Sequence, residues 1–145
     1  MLSILKTKRG FTLIELLVVI AILAILLVIV LVAVNPARQT RDARNTQRRA
    51  DVLTILNAVN QYFIENGSFP AGGFPTCPTT GNIGTGGENI AADVVPDFVA
   101  ALPKDPSPAG TDADTGYDIC QSSGDRVTVS APNTEGGVAT VSATR

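Results

Sequence analysis

The stretch that decides the fold is Lys8-Arg9-Gly10-Phe11-Thr12-Leu13-Ile14-Glu15-Leu16-Leu17, continued without a polar residue to Val34. Residues 16–34 are consecutive apolar residues, and from Phe11 to Val34 only Thr12 and Glu15 are polar. As a helix the segment rises about 36 Å, enough to cross a hydrocarbon core of about 30 Å. A helix apolar on every side cannot be the half-exposed face of a small soluble domain. The apolar core is too long for a cleaved secretory signal, and Asn35-Pro36-Ala37-Arg38 is a poor small-x-small cleavage site. From hydropathy alone the segment predicts a single membrane span.

Charge sorts the rest of the chain. Lys6, Lys8 and Arg9 precede the apolar run without an acid among them. Residues 35–50 hold Arg38, Arg41, Arg44, Arg48 and Arg49 against Asp42 alone. From residue 51 onward, eleven acids face only Lys104, Arg126 and Arg145, and the whole chain carries a net charge of −2. Counting Lys and Arg beside the span ends points the C-terminal part into the cytoplasm, which conflicts with the reading reached below. The chain has no His and two Cys. That excludes Ser-His-Asp and Cys-His catalytic sets, His-ligated metal sites and a Cys₄ zinc site. No nucleophile–base set is present, so the chain reads as a non-enzyme without a cofactor.

Glu15 is the informative residue. A carboxylate inside a span costs about 2.5–3.5 kcal/mol at the bilayer centre and less near the interface. No Lys or Arg lies between residues 10 and 37, so no helical neighbour supplies a cation. Glu15 is either an interfacial acid reaching water or a buried group that needs a cation from a partner.

With these residues in place, the segment Lys8 to Leu17 resembles the N-terminus of prepilins of the type IV pilin and pseudopilin family. The pattern is a basic leader ending in Gly, then Phe, then Glu as the fifth mature residue, then an apolar helix. The resemblance is tight over residues 6–34 and looser over 35–70. It implies a leader peptide over residues 1–10, removed by a prepilin peptidase between Gly10 and Phe11, and N-methylation of the new Phe11 amine. It implies that Glu15 of one subunit pairs with the Phe11 amine of its neighbour during assembly. A single-pass precursor in the inner membrane would then become a homo-oligomeric filament at the cell surface, built by the pilus assembly machinery. An extracytoplasmic C-terminal region follows from this resemblance and overrides the arginine count. The alternatives are a pseudopilin or minor pilin of a secretion or DNA-uptake system, and a monomeric membrane-anchored binding protein. Many pilins have Pro or Gly inside the apolar helix. Here the first Pro is Pro36, so a kink or melted turn is expected around residues 32–37.

Residues 35–66 form the amphipathic half of the long helix. Val52, Ile55, Leu56, Val59, Tyr62 and Phe63 follow helical spacing, with Thr54, Asn57 and Gln61 opposite. Asn66-Gly67 supplies the stop. The arginines of residues 38–49 have no aromatic stacking partner before Tyr62. Headgroup contact or a solvated face is therefore favoured over nucleic-acid binding, with salt bridging to a neighbouring subunit as the next option.

Residues 67–145 form a small loop-rich region carrying most of the glycines and prolines. Val95 to Leu102 predicts a short helix with Pro96 in its first turn. Tyr117–Cys120, Arg126–Ala131 and Val138–Ser142 alternate as strands, with a hairpin turn at Ser122–Asp125. The fold class is α+β, a helix spine packed on a small antiparallel sheet, as in type IV pilins. Cys77 and Cys120 are the expected disulfide, on the ground that the region lies in an oxidising compartment. Asp112, Asp114 and Asp118 are candidate calcium ligands, but they miss EF-hand spacing and a solvated acidic loop is favoured. Leu102-Pro103-Lys104-Asp105-Pro106 resembles a pseudopilin segment, and Glu65 to Pro70 resembles the helix end of pilins and pseudopilins.

Overall fold

The computed structural model describes residues 10–108 and 110–145. Residues 1–9, with Lys6, Lys8 and Arg9, lie outside the described residues. The chain divides into two units, one ending at Gln39 and one running from Thr40 to Arg145.

The first unit contains α1, Leu13–Val34. Thr12 caps it with extended backbone (φ −82°, ψ 151°), and none of its residues is buried. By length and composition α1 is able to cross a membrane. It ends at Asn35, which takes the left-handed conformation (φ 42°, ψ 76°). Asn tolerates that region better than most residues. Pro36 has no N–H with which to continue the α1 ladder, and its fixed φ suits a first helical position. It therefore opens a second helix, α2, Pro36–Asn66. The Asn35 side chain accepts the Arg38 backbone N–H at 3.3 Å, so Asn35 stops one helix and caps the next. The expected interruption falls on this residue.

In the second unit the buried face of α2 holds Val52, Ile55, Leu56, Ala58 and Val59, while Thr54, Asn57 and Gln61 are exposed. Gly67 ends the helix with φ +69°, and its N–H reaches the Phe63 carbonyl at 2.8 Å. Four antiparallel strands follow in the order β1 Gly81–Asn82, β2 Asp118–Gln121, β3 Val127–Ala131 and β4 Val141–Thr144. Ile119 stands opposite Val129, and Ala131 opposite Val141. The period of two turns Ile119, Val127, Val129 and Ala131 inward onto the apolar face of α2. Ile83, Ile90, Val94 and Tyr117 complete the buried core. The fold is α+β.

Two local expectations move, and one element is new. The short helix α3 is Ala91–Val94 rather than Val95–Leu102. Val95 precedes Pro96 and is extended (φ −106°, ψ 133°), because the proline ring disfavours a helical residue before it. The last strand begins at Val141 rather than Val138. Gly136 and Gly137 both have positive φ, and Thr134 Oγ1 donates to the Val138 carbonyl at 2.8 Å. That turn holds residues 134–138 away from β3. The two-residue strand β1 is too short to show any periodicity, and the sequence gives no sign of it.

Cys77 and Cys120 form a disulfide that spans 43 positions of sequence and joins the loop before β1 to β2. Closing a loop of that length removes chain entropy equivalent to about 4 kcal/mol in the loop-closure model.

Candidate functional site

At the N-terminal end of α1, Glu15 and Thr12 form a reciprocal cap. Glu15 Oε2 accepts the Thr12 N–H at 2.8 Å and the Thr12 hydroxyl at 2.7 Å. Thr12 Oγ1 in turn accepts the Glu15 N–H at 3.3 Å. The carboxylate that had no cation within the helix thus has two local donors. The signal is present in the sequence as Thr-x-x-Glu before an apolar run. An acid in the first turn also faces the positive end of the helix dipole.

Phe11 stands 85% exposed beside this cap. Gly10 is exposed too, and a Cβ added there meets nothing within 4 Å. Nothing in the chain's own described structure requires glycine at position 10.

A second polar constellation lies at the buried face of α2, one turn before the apolar part. Arg48 is fully buried. Its Nε donates to Asp105 Oδ2 at 2.7 Å and its Nη2 to Asp105 Oδ1 at 2.9 Å. Nη2 also reaches Glu135 Oε1 at 3.2 Å, and Nη1 donates to Asn45 Oδ1 at 2.9 Å. Asn45 and Glu135 close the ring through backbone bonds of 2.9 and 3.0 Å. Arg44 adds an ion pair to Glu135 at 3.2 Å. Burial raises the Asp105 pKa, but hydrogen bonds from Arg48 and Ser107 and the Arg48 charge outweigh it. The carboxyl is held below the usual Asp range. Two glycines wall the acid in. A Cβ at Gly110 would come within 2.6 Å of the Asp105 carbonyl oxygen, and one at Gly116 (φ +80°) within 2.7 Å of its Cβ.

Next to this ring, Tyr117 Oη donates to Asp51 Oδ2 at 2.7 Å, while Gln47 donates to Asp51 Oδ1 at 2.8 Å. Burial, then the hydrogen bond and negative charge of Asp51, push the Tyr117 pKa far above the ordinary phenol range. Among the described residues no buried side-chain nitrogen or oxygen lacks a partner. The cluster directs its donors and acceptors inward and clamps α2 to the loops around residues 105 and 135. Arg48 is thus buried and paired within its own chain, while Arg44, partly exposed, shares Glu135 with it.

The three aspartates considered for calcium do not converge. Asp112 pairs with Lys104 at 2.8 Å, Asp114 accepts the Gly116 N–H at 2.9 Å, and Asp118 accepts the Thr80 hydroxyl at 3.2 Å. Among the described residues no three acidic, His or Cys side chains group to hold a metal. Burial, opposed by the Thr80 hydrogen bond and reinforced by Asp114, raises the Asp118 pKa.

Compared with known protein families, residues 5–31 match the prokaryotic N-terminal methylation motif. Neither the curated proteins nor the solved structures compared with the chain give a match.

Proposed function

We propose, from an N-terminal segment that is that of a type IV pilin-like prepilin, that the chain is a structural subunit of a type IV pilus or related extracellular filament. The motif and the apolar helix fit a membrane-anchored precursor. Proteins carrying the motif are structural rather than enzymatic. Residues 1–10 are the leader, 11–34 the span and later filament core, 35–66 the amphipathic half-helix, and 67–145 the displayed region. A prepilin peptidase cuts between Gly10 and Phe11 and the Phe11 amine is methylated. The observation that carries this reading is the pairing of Gly10 with Glu15 at the mouth of an apolar helix. Glycine at that position suits an enzyme that must approach the backbone closely there.

Cleavage turns the Phe11 nitrogen into an amine that is positive near neutral pH. The amine of one subunit then pairs with Glu15 of the next, and both charges leave lipid together. The Thr12 cap supports this reading, because it lowers the cost of keeping Glu15 in the membrane before a neighbour arrives. Shielded ionic contacts of this kind set register in helical assemblies.

The intact mass of the native chain tests the reading. A start at Phe11 carrying one added methyl group is expected; an intact Met1 start overturns it in favour of a monomeric anchor. Glu15→Leu is expected to abolish incorporation into filaments while leaving cleavage intact. A pseudopilin or minor pilin is the second reading, supported by the segment Leu102 to Pro106, whose Asp105 is the buried partner of Arg48. Electron microscopy of sheared surface filaments separates the two, since only a major pilin forms the bulk of such filaments.

A further inference from the structure

Among the described residues of the second unit, the large apolar side chains that stay exposed are Leu53 (52%), Ile64 (80%) and Val138 (37%). Leu53 and Ile64 are eleven residues apart on α2, about three turns, and so share one outward stripe. Leu53 lines a groove with Arg49, Val138 and Val141. Ile64 lines another with Glu65, Asp97 and Phe98. Arg49, Glu65 and Asp97 are all exposed. Ion pairs join Arg44 and Arg48 to Glu135, Arg48 to Asp105, and Lys104 to Asp112. The stripe thus has a cationic apolar end and an anionic apolar end.

We propose that the Arg49–Leu53 groove of one copy docks against the Ile64–Glu65–Asp97 groove of a second copy of this chain. The copies run parallel and are displaced along α2 by about 17 Å, the rise of eleven helical residues, which brings Leu53 to Ile64 and leaves Arg49 and the acids within side-chain reach. The inference rests on the filament reading above, because chains inserted in one membrane orientation are parallel. The charges are complementary, two acids against one guanidinium, and the exposed apolar side chains cover each other. Opposite ends of one stripe make a heterologous contact, which propagates instead of closing. The same stripe also matches itself in an antiparallel pairing, which would close as a dimer.

The test is cross-linking of the full chain in cells that carry its assembly machinery. The double variant Leu53→Cys/Ile64→Cys is oxidised mildly and run without reductant. A ladder extending beyond the dimer is expected, and none from either single variant. Bands that stop at the dimer overturn the parallel arrangement in favour of the closed pair. No cross-link in chains that start at Phe11 and enter sheared filaments overturns the docking and leaves the filament reading standing. An intact Met1 start without filaments overturns both. Arg49→Glu is expected to weaken the ladder about tenfold, since like charges then face each other. Restoring it with Glu65→Arg/Asp97→Arg shows that the contact is between these charges and is not a folding effect.

Discussion

The guanidinium of Arg48 meets the carboxylate of Asp105 through two bonds, 2.7 and 2.9 Å long, with both side chains wholly removed from solvent. The residues are 57 positions apart and belong to a helix and to a loop. Fork-to-carboxylate pairing of this kind is directional as well as strong. It fixes where the loop around residue 105 sits on α2.

Removing one partner leaves the other charge buried and uncompensated. Arg48→Ala or Asp105→Ala is expected to cost about 3–5 kcal/mol. Urea unfolding of the detergent-solubilised chain measures it. Arg48→Met/Asp105→Leu should recover much of the loss, because an apolar pair of similar volume carries no desolvation penalty. A double variant as unstable as the singles would refute this account.

The same pair sets an acid limit. Asp105 has a folded-state pKa below its unfolded value. Its contribution is therefore complete above the unfolded Asp pKa, about 3.9, and is lost as pH falls through the lower folded value. Stability should drop on acidification below about pH 4, and Asp105→Asn should flatten that drop. Comparing unfolding midpoints of the two chains at neutral and acid pH checks the sign.

Tyr117 should stay protonated in the folded chain at alkaline pH. Phenolate absorbance at pH 11 is expected to be the same for the wild type and Tyr117→Phe while both remain folded. The substitution keeps the ring but takes the hydroxyl from Asp51. An expected loss of about 1–3 kcal/mol follows from leaving a buried acceptor short of a donor.

The disulfide is expected to contribute about 4 kcal/mol by restricting the unfolded chain. Cys77→Ser/Cys120→Ser, or the wild type with a thiol reductant, should unfold at lower urea by a matching amount. A reduced chain as stable as the oxidised one would show that the bond is not structural.

The apolar face of α2 was legible because Val52, Ile55, Leu56 and Val59 repeat at the helical period, and burial follows period. The α+β class, the Ser122–Asp125 turn and the interruption near Pro36 were legible for similar local reasons. The polar end of the same face was not. Arg48 in sequence is one of five arginines in sixteen residues, and its partners arrive 57 and 87 positions later. No local spacing reports such a contact. The Thr12–Glu15 cap is written in the sequence as a capping box, a short pattern that a long apolar run outweighs. The shifts at α3 and β4 have one cause. Proline and paired glycines dictate backbone where the apolar pattern alone pointed to a helix or a strand.

The glycine walls around Asp105 bear on how this chain can diverge. A single arginine on the helix demands a carboxylate at one point, and the backbone and Cβ of the residue that carries it leave no room for a Cβ at Gly110 or Gly116. Thr111 and Asp112, exposed between those glycines, meet no such steric limit and are held by the Thr111–Asp114 turn bonds and the Lys104–Asp112 pair. Variants of this protein should therefore change more readily at the crest of that loop than at the glycines. Arg48 and Asp105 should change only together, while Gly110 and Gly116 should resist substitution whichever side chain stands at position 105.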